Sequence, residues 1–279
     1  MKFSHSLIIA ALALSISANA QKSCCIPVDL SALALASNES FKSDHHAPNP
    51  FVLESPKGKM ITFKATDGTA GNAYIIPSVK PSDKVLFVFH EWWGLNDYIK
   101  QEAEKWQQEL GDVTVYAIDL YDGKVATTQE DAAKYMGGLD AKHGRAIVEG
   151  LVNYVGKGKS IATIGWCLGG TWSFEAALLA GNEAKGCVMY YGFPEEDAAK
   201  VKTLTTNILY IYGSQDAYIS RDAVDGLSAK VKASGHTMKL VTYDAVHAFA
   251  NPSNPKFNEY AASEAHYEAS KFLKQAFAK

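Results

Sequence analysis

The stretch Ser160-Ile161-Ala162-Thr163-Ile164-Gly165-Trp166-Cys167-Leu168-Gly169-Gly170 passes from an apolar run of strand length into a glycine-rich turn that opens a helix. A nucleophile bracketed by glycines at such a turn sits on a strained backbone at the carboxyl end of the strand. Glycine is needed there because neighbouring side chains would meet the elements that cross the turn. The positive end of the following helix points at the sulfur of Cys167 and favours its thiolate form. A buried structural cysteine in a glycine-rich turn is the plainer alternative.

Outward from this turn, strand-length runs alternate with helical ones. Val85 to Phe89 reads VLFVF, a continuous apolar run that predicts a strand buried on both faces. Met60 to Phe63 and Asn72 to Ile76 alternate around a turn at Asp67-Gly68 and predict an antiparallel hairpin. Val113 to Ile118, Gly186 to Tyr191, Ile208 to Tyr212 and Lys239 to Tyr243 read as further strands. Helices are predicted over Asp97 to Leu110, Thr128 to Tyr154 with a break at Gly137-Gly138, Gly170 to Ala180, and Arg221 to Ser234. A terminal helix is predicted over Lys256 to Ala278, with Phe257, Tyr260, Ala261, Tyr267 and Phe272 roughly on one face. The alternation implies an α/β protein with a mainly parallel central sheet flanked by helices on both faces. No linker interrupts residues 56–279, which read as a single domain. In such sheets ligands bind beyond the carboxyl ends of the strands.

Three more post-strand loops carry chemistry. Gly213-Ser214-Gln215-Asp216 follows one strand, and Asp244-Ala245-Val246-His247-Ala248-Phe249 follows the next. An acid after a strand is often only a turn residue, and a lone histidine is more often packing than catalysis. Here nucleophile, acid and base occur in the chain order of the α/β-hydrolase fold. The fourth loop, His90-Glu91-Trp92-Trp93-Gly94, follows Val85 to Phe89. In that fold it supplies an oxyanion-hole amide, so the amides of Trp92 and Leu168 are the expected pair. Glu91 stands unexpectedly at the mouth of an anion-stabilising site. Tyr121 belongs to a segment that rims the expected pocket.

Together with Asp119-Leu120-Tyr121 and Tyr190-Tyr191-Gly192, these motifs resemble the dienelactone hydrolase family over roughly Met60 to the C-terminus. The resemblance implies an α/β-hydrolase fold and a metal-free Cys-Asp-His triad that hydrolyses enol-lactones. It makes Cys167 the nucleophile, His247 the base and Asp216 its orienting acid. It associates Glu91 with the resting thiol and its activation. Where the family carries a carboxylate-binding arginine four residues after the histidine, this chain has Asn251. That departure makes dienelactone itself a less expected substrate. The pair Trp92-Trp93 suggests a more apolar or aromatic pocket.

Composition sets the remaining bounds. The 279 residues are 47% hydrophobic and 20% charged with a net charge of −3, which excludes a disordered chain and a broad nucleic-acid surface. Residues 1–20 read as a secretory signal peptide: Lys2, an apolar stretch from Leu7 to Ile16, and a small-residue site at Ala18-Asn19-Ala20. The apolar run is shorter than the ~20 residues of a membrane span. The expected mature protein is therefore secreted, most simply periplasmic, without membrane or nucleic-acid partner. It is expected as a monomer, with a dimer as the alternative. Residues 21–55 read as an irregular arm. Cys24-Cys25 begins it, His45-His46 reads as a solvated loop pair, and Cys187 reads as core packing. No histidines show metal-ligand spacing, so neither metal nor cofactor is expected. Cysteine-based hydrolysis of a small ester or lactone is the expected activity. A non-catalytic or redox-sensing secreted binding protein on the same fold is the competing reading.

Overall fold

The computed structural model describes residues 31–278, with side chains from residue 33 onward. The expected signal peptide and the Cys24-Cys25 pair lie outside the described residues. The described residues begin with α1 (Ser31–Ala34), a 3-10 turn (Leu35–Ser37) and α2 (Glu39–Asp44). It continues through β1 (Lys59–Lys64), β2 (Ala70–Ile76), β3 (Lys84–Phe89), α3 (Asp97–Leu110), β4 (Thr114–Asp119), α4 (Gln129–Gly137) and α5 (Ala141–Val155). After β5 (Ser160–Trp166) come α6 (Leu168–Ala180), β6 (Ala184–Tyr190), α7 (Ala198–Val201), β7 (Ile208–Gly213), α8 (Arg221–Ala233), β8 (Met238–Tyr243) and α9 (Glu259–Ala276).

The eight strands form one sheet in the order β1-β2-β4-β3-β5-β6-β7-β8. β1 and β2 are antiparallel, as the hairpin pattern predicts, and β2 also runs antiparallel to β4. From β4 to β8 every pairing is parallel. β3 lies inside this parallel block, which explains its unbroken apolar run: Val85 to Phe89 are at most 3% exposed. Asn96 caps α3 by accepting from the Ile99 amide at 3.1 Å, and Gly111 ends the helix at φ +68°. Among the described residues no helix is long and apolar enough to cross a membrane.

α6 is buried from Leu168 through Ala177, so it carries no polar stripe for solvent. It packs on β3, β5 and β6 and against α5. The charge it buries, Glu175, is met by Arg145 at 2.9 Å and by Lys200, which also reaches Glu195 at 2.6 Å. A buried carboxylate left without such partners would cost several kcal/mol.

Two expectations are corrected. α9 does not bury its aromatic residues: Tyr260 is 75% and Tyr267 60% exposed. Its buried face is Ala261, Ala265, Ala269, Leu273 and Ala276. It approaches the sheet closely, since a Cβ on Gly186 would stand 2.9 Å from that of Ala276 and 3.0 Å from the ring of half-buried Phe272. The arm is not irregular over residues 31–44. Asn38 caps α2 by accepting from the Phe41 amide at 2.9 Å. A helix of six residues does not hold by itself. Tertiary contacts hold it: Phe41 is fully buried, and Gln129 Nε2 donates to the carbonyls of Lys42 and His45 at 2.6 and 2.8 Å. Tyr218 also donates to Asp44 at 2.6 Å.

Candidate active site

The parallel strands deliver their following loops to one edge of the sheet. Glu91 follows β3, Tyr121 follows β4, Cys167 follows β5, Tyr191 follows β6, Asp216 follows β7 and His247 follows β8. Cys167 adopts φ +53° and ψ −118°, a conformation that a non-glycine residue keeps only under surrounding constraint. Its amide donates to the Tyr190 carbonyl at 3.0 Å, and its carbonyl accepts from the Gly170 amide at 2.9 Å. The glycines around it are sterically required. A Cβ on Gly165 would lie 2.0 Å from the Gly169 carbonyl oxygen, and one on Gly169 would lie 2.4 Å from that of Phe89.

Cys167, His247 and Asp216 meet although 80 and 31 residues separate them. His247 Nε2 is 3.2 Å from Cys167 Sγ. His247 Nδ1 donates to Asp216 Oδ2 at 2.7 Å, because a carboxylate can only accept. The other oxygen of Asp216 accepts from the amides of Tyr218 and Ile219 at 2.8 and 2.9 Å, which fixes the carboxylate plane. Burial alone would lower the His247 pKa. The neighbouring Asp216 charge and the Cys167 sulfur outweigh it and raise the value to about 10. An imidazole so placed can hold a proton beside the sulfur and pass it on. The amides of Trp92 and Leu168 form no hydrogen bond among the described residues.

The His90 ring organises the β3 loop. Its Nδ1 donates to the Glu91 carbonyl at 2.6 Å and its Nε2 accepts from the Leu120 amide at 3.2 Å. Glu91 is 7% exposed. One of its oxygens accepts from Asn251 Nδ2, and the other has no partner. Burial pushes its pKa up to about 7, against smaller opposing contributions from His247 and Asn251. An amide at position 251 offers a hydrogen bond without the positive charge that would hold this carboxyl ionised.

The folded chain keeps the Glu91 proton up to about pH 7, whereas an ordinary glutamate releases it near 4.5. Folding therefore binds a proton between those values, and stability falls as pH rises through them, by up to about 3 kcal/mol. Urea unfolding at pH 5 and pH 8 should show Glu91→Gln losing clearly less stability than the wild type. Equal losses in the two proteins would contradict the buried neutral carboxyl.

A cavity of about 450 Å³ opens beside the Glu91 loop, with Tyr191, whose ring is 5.2 Å from that of His247, in its wall. Glu91, Trp93, Trp166, Tyr191 and Asn251 line it, with Pro48 from the arm. Trp92, Tyr121, Cys167 and His247 do not, and neither does either arginine. Tyr121 is buried, with its ring 4.8 Å from that of His90. Cys187 is fully buried in β6 beside Ser173, and burial pushes its thiol up to about 11.

His45 corrects the reading of a solvated loop. It is 6% exposed, its ring 5.2 Å from Trp92 and 5.6 Å from His247. Phe41 lies beside it, 5.2 Å from Trp92 and 5.9 Å from His247. The arm thus covers Cys167, which is 1% exposed. Sequence reading missed Phe41, His45, Trp166 and Tyr191. The capping residue Asn38 was a usable signal for α2, but nothing local marks His45.

The profile of the dienelactone hydrolase family matches residues 72–277. Among curated proteins the chain is similar to protein usf of Aquifex pyrophilus, 29% identical over 208 residues that span 70% of this chain and 87% of that one. It is also similar to carboxymethylenebutenolidase 1 of Cupriavidus pinatubonensis, 24% identical over 220 residues, 74% of this chain and 92% of that one. Among solved structures it is similar to a dienelactone hydrolase-like promiscuous phosphotriesterase from metagenomic libraries. That likeness has a TM-score of 0.65 at 20% identity and covers 79% of this chain and 99% of the other. The shared architecture is the α/β-hydrolase fold.

Proposed function

Because this chain belongs to the dienelactone hydrolase family, we propose that it hydrolyses a small ester or lactone with Cys167 as nucleophile, His247 as base and Asp216 as orienting acid. The observation that carries this reading is the pair of contacts at 3.2 and 2.7 Å that aligns sulfur, imidazole and carboxylate. His247 takes the Cys167 proton, and the thiolate attacks the carbonyl carbon. The resulting oxyanion rests on the amides of Leu168 and Trp92. Collapse expels the alcohol oxygen, which receives the proton from His247, and leaves a thioester on Cys167. Water, deprotonated by His247, then releases the acid and restores the thiol. Since a thiolate leaves the tetrahedral adduct readily, activated esters and lactones suit this site better than amides.

The cavity supports a substrate with an apolar or aromatic portion, with Glu102 and Lys105 also standing in its wall. Trp93, Trp166 and Tyr191 supply its apolar walls. The chain's two arginines are engaged elsewhere, Arg145 with Glu175 and Arg221 with Asp225. Neutral Glu91 adds no repulsion for the developing oxyanion. We further read residues 1–20 as the address that takes the protein out of the cytoplasm as a soluble monomer.

The test is acyl-enzyme trapping. An activated aryl ester should give a burst of alcohol equal to the enzyme concentration. Acid quenching should leave one acyl group on the peptide that contains Cys167, read by mass spectrometry. A linear time course together with an unmodified Cys167 would refute the thioester route.

A further inference from the structure

His45 has no part in that hydrolysis, yet it is built into the site. Its Nδ1 donates to the Phe41 carbonyl at 2.7 Å, so the lone pair lies on Nε2. That Nε2 is buried without a hydrogen-bond partner. An unpaired buried polar atom is costly and calls for an explanation. His247 likewise spends Nδ1 on Asp216, which leaves Nε2 facing Cys167. One donor atom from each of His45, Cys167 and His247 lies within 4.8 Å of the other two.

We propose that His45, Cys167 and His247 form a three-ligand site for a transition-metal ion, Zn2+ foremost, whose binding switches hydrolysis off. Zn2+ takes imidazole nitrogen at about 2.0–2.1 Å and thiolate sulfur at about 2.3 Å in a tetrahedron, which sets its donors roughly 3.5 Å apart. The Cys167 Sγ–His247 Nε2 pair already stands at 3.2 Å, and a His45 donor lies within 4.8 Å of both. Each imidazole already donates its other N–H to an oxygen, the Phe41 carbonyl for His45 and the Asp216 carboxylate for His247. Metal-ligating histidines are held in this way. A thiolate with two imidazoles selects zinc or copper over magnesium or calcium.

Loading places the ion on the sulfur electron pair that attacks substrate and on the nitrogen that relays the proton. The single proton shared by Cys167 and His247 leaves to water, and no redox change occurs. The third ligand comes from the arm, so docking of α2 builds the site. Loss of activity on loading rests on the hydrolytic reading above, whereas metal binding does not.

The experiment is titration of the purified chain with Zn2+ against a chelating dye, with Co2+ as a spectroscopic probe. One Zn2+ should bind per chain, Co2+ should give a thiolate-to-metal charge-transfer band, and ester hydrolysis should fall with the bound fraction. His45→Phe keeps an aromatic ring in the cluster but lacks the donor, and should weaken Zn2+ binding at least about tenfold. Cys167→Ser should lose the Co2+ band, while His46→Ala, at an exposed neighbour, should bind as the wild type does. Unchanged affinity in His45→Phe, a Co2+ complex without the thiolate band, or no binding at micromolar Zn2+ would overturn the site. Metal binding as described in a protein whose Cys167→Ala variant still hydrolyses esters would instead leave the metal site standing and remove the hydrolytic assignment.

Discussion

Cys167→Ala should lower kcat on an activated aryl ester by about 10⁴–10⁶-fold, the range seen when a triad nucleophile is removed. The residue removed is the one whose Sγ faces His247 Nε2 at 3.2 Å, and alanine offers no atom that can form the thioester. What survives is hydrolysis by water assisted by the two free amides. Asp216→Asn should cost about 10⁴-fold by a different route. An asparagine NH2 turned toward Nδ1 favours the tautomer with the proton on Nε2, which then cannot accept from the thiol. The double variant should be little worse than Cys167→Ala alone, because the three groups act as one device. Steady-state rates with circular dichroism as a folding control decide the matter. Activity of Cys167→Ala within tenfold of the wild type would end the assignment.

The second large effect concerns the turn that holds this sulfur. Gly165→Ala should destabilise the protein by at least about 3 kcal/mol, at the upper end of overpacking costs. The added methyl would stand 2.0 Å from the Gly169 carbonyl oxygen and 2.9 Å from Phe89 Cβ. Neither neighbour has room to retreat, since Gly169 is itself pressed against the Phe89 and His90 carbonyls. Against a typical total of about 5–15 kcal/mol, such a loss leaves a poorly folded chain. Gly226→Ala in α8 provides the contrast. The nearest atom to a Cβ there is Lys230 Nζ at 3.9 Å, so better helix propensity should gain about 0.5–1 kcal/mol. Urea midpoints of the two variants should move in opposite directions. A Gly165→Ala midpoint equal to that of the wild type would show that the turn can relax after all.

What could be read from the chain alone followed the range of the interactions involved. The strand Val85 to Phe89, the turn around Cys167 and the helix from Asp97 to Leu110 are written in adjacent residues: an apolar run, a glycine spacing, a cap and a stop. The α/β-hydrolase architecture follows from their alternation. The meeting of Cys167, Asp216 and His247 was legible because each follows a parallel strand, and such strands present their carboxyl ends on one edge. The exposed side of α9 was misread because large aromatic residues outweigh alanines in any count of apolarity. Its buried face is mainly alanine, with the half-buried ring of Phe272 and Ala276 meeting the sheet at Gly186. His45 was illegible for a stronger reason. Its neighbours Trp92 and His247 lie far away in sequence, and a polar pair among Ser, Asn and Pro looks solvated until those partners are in place.

The docking of α2 also constrains the order in which the molecule is completed. Asp44 accepts from Tyr218 across 174 residues, and Gln129 grips the Lys42 and His45 carbonyls across 87 and 84. The surface that receives Phe41 comes from the β3, β7 and β8 loops, so it does not exist until the C-terminal half has folded. Although early in the described chain, α2 can therefore dock only once those loops are in place. Because His45 and Phe41 stand against His247 and Trp92 beside the Cys167 sulfur, undocking of α2 alone would widen access to that atom while leaving the sheet intact.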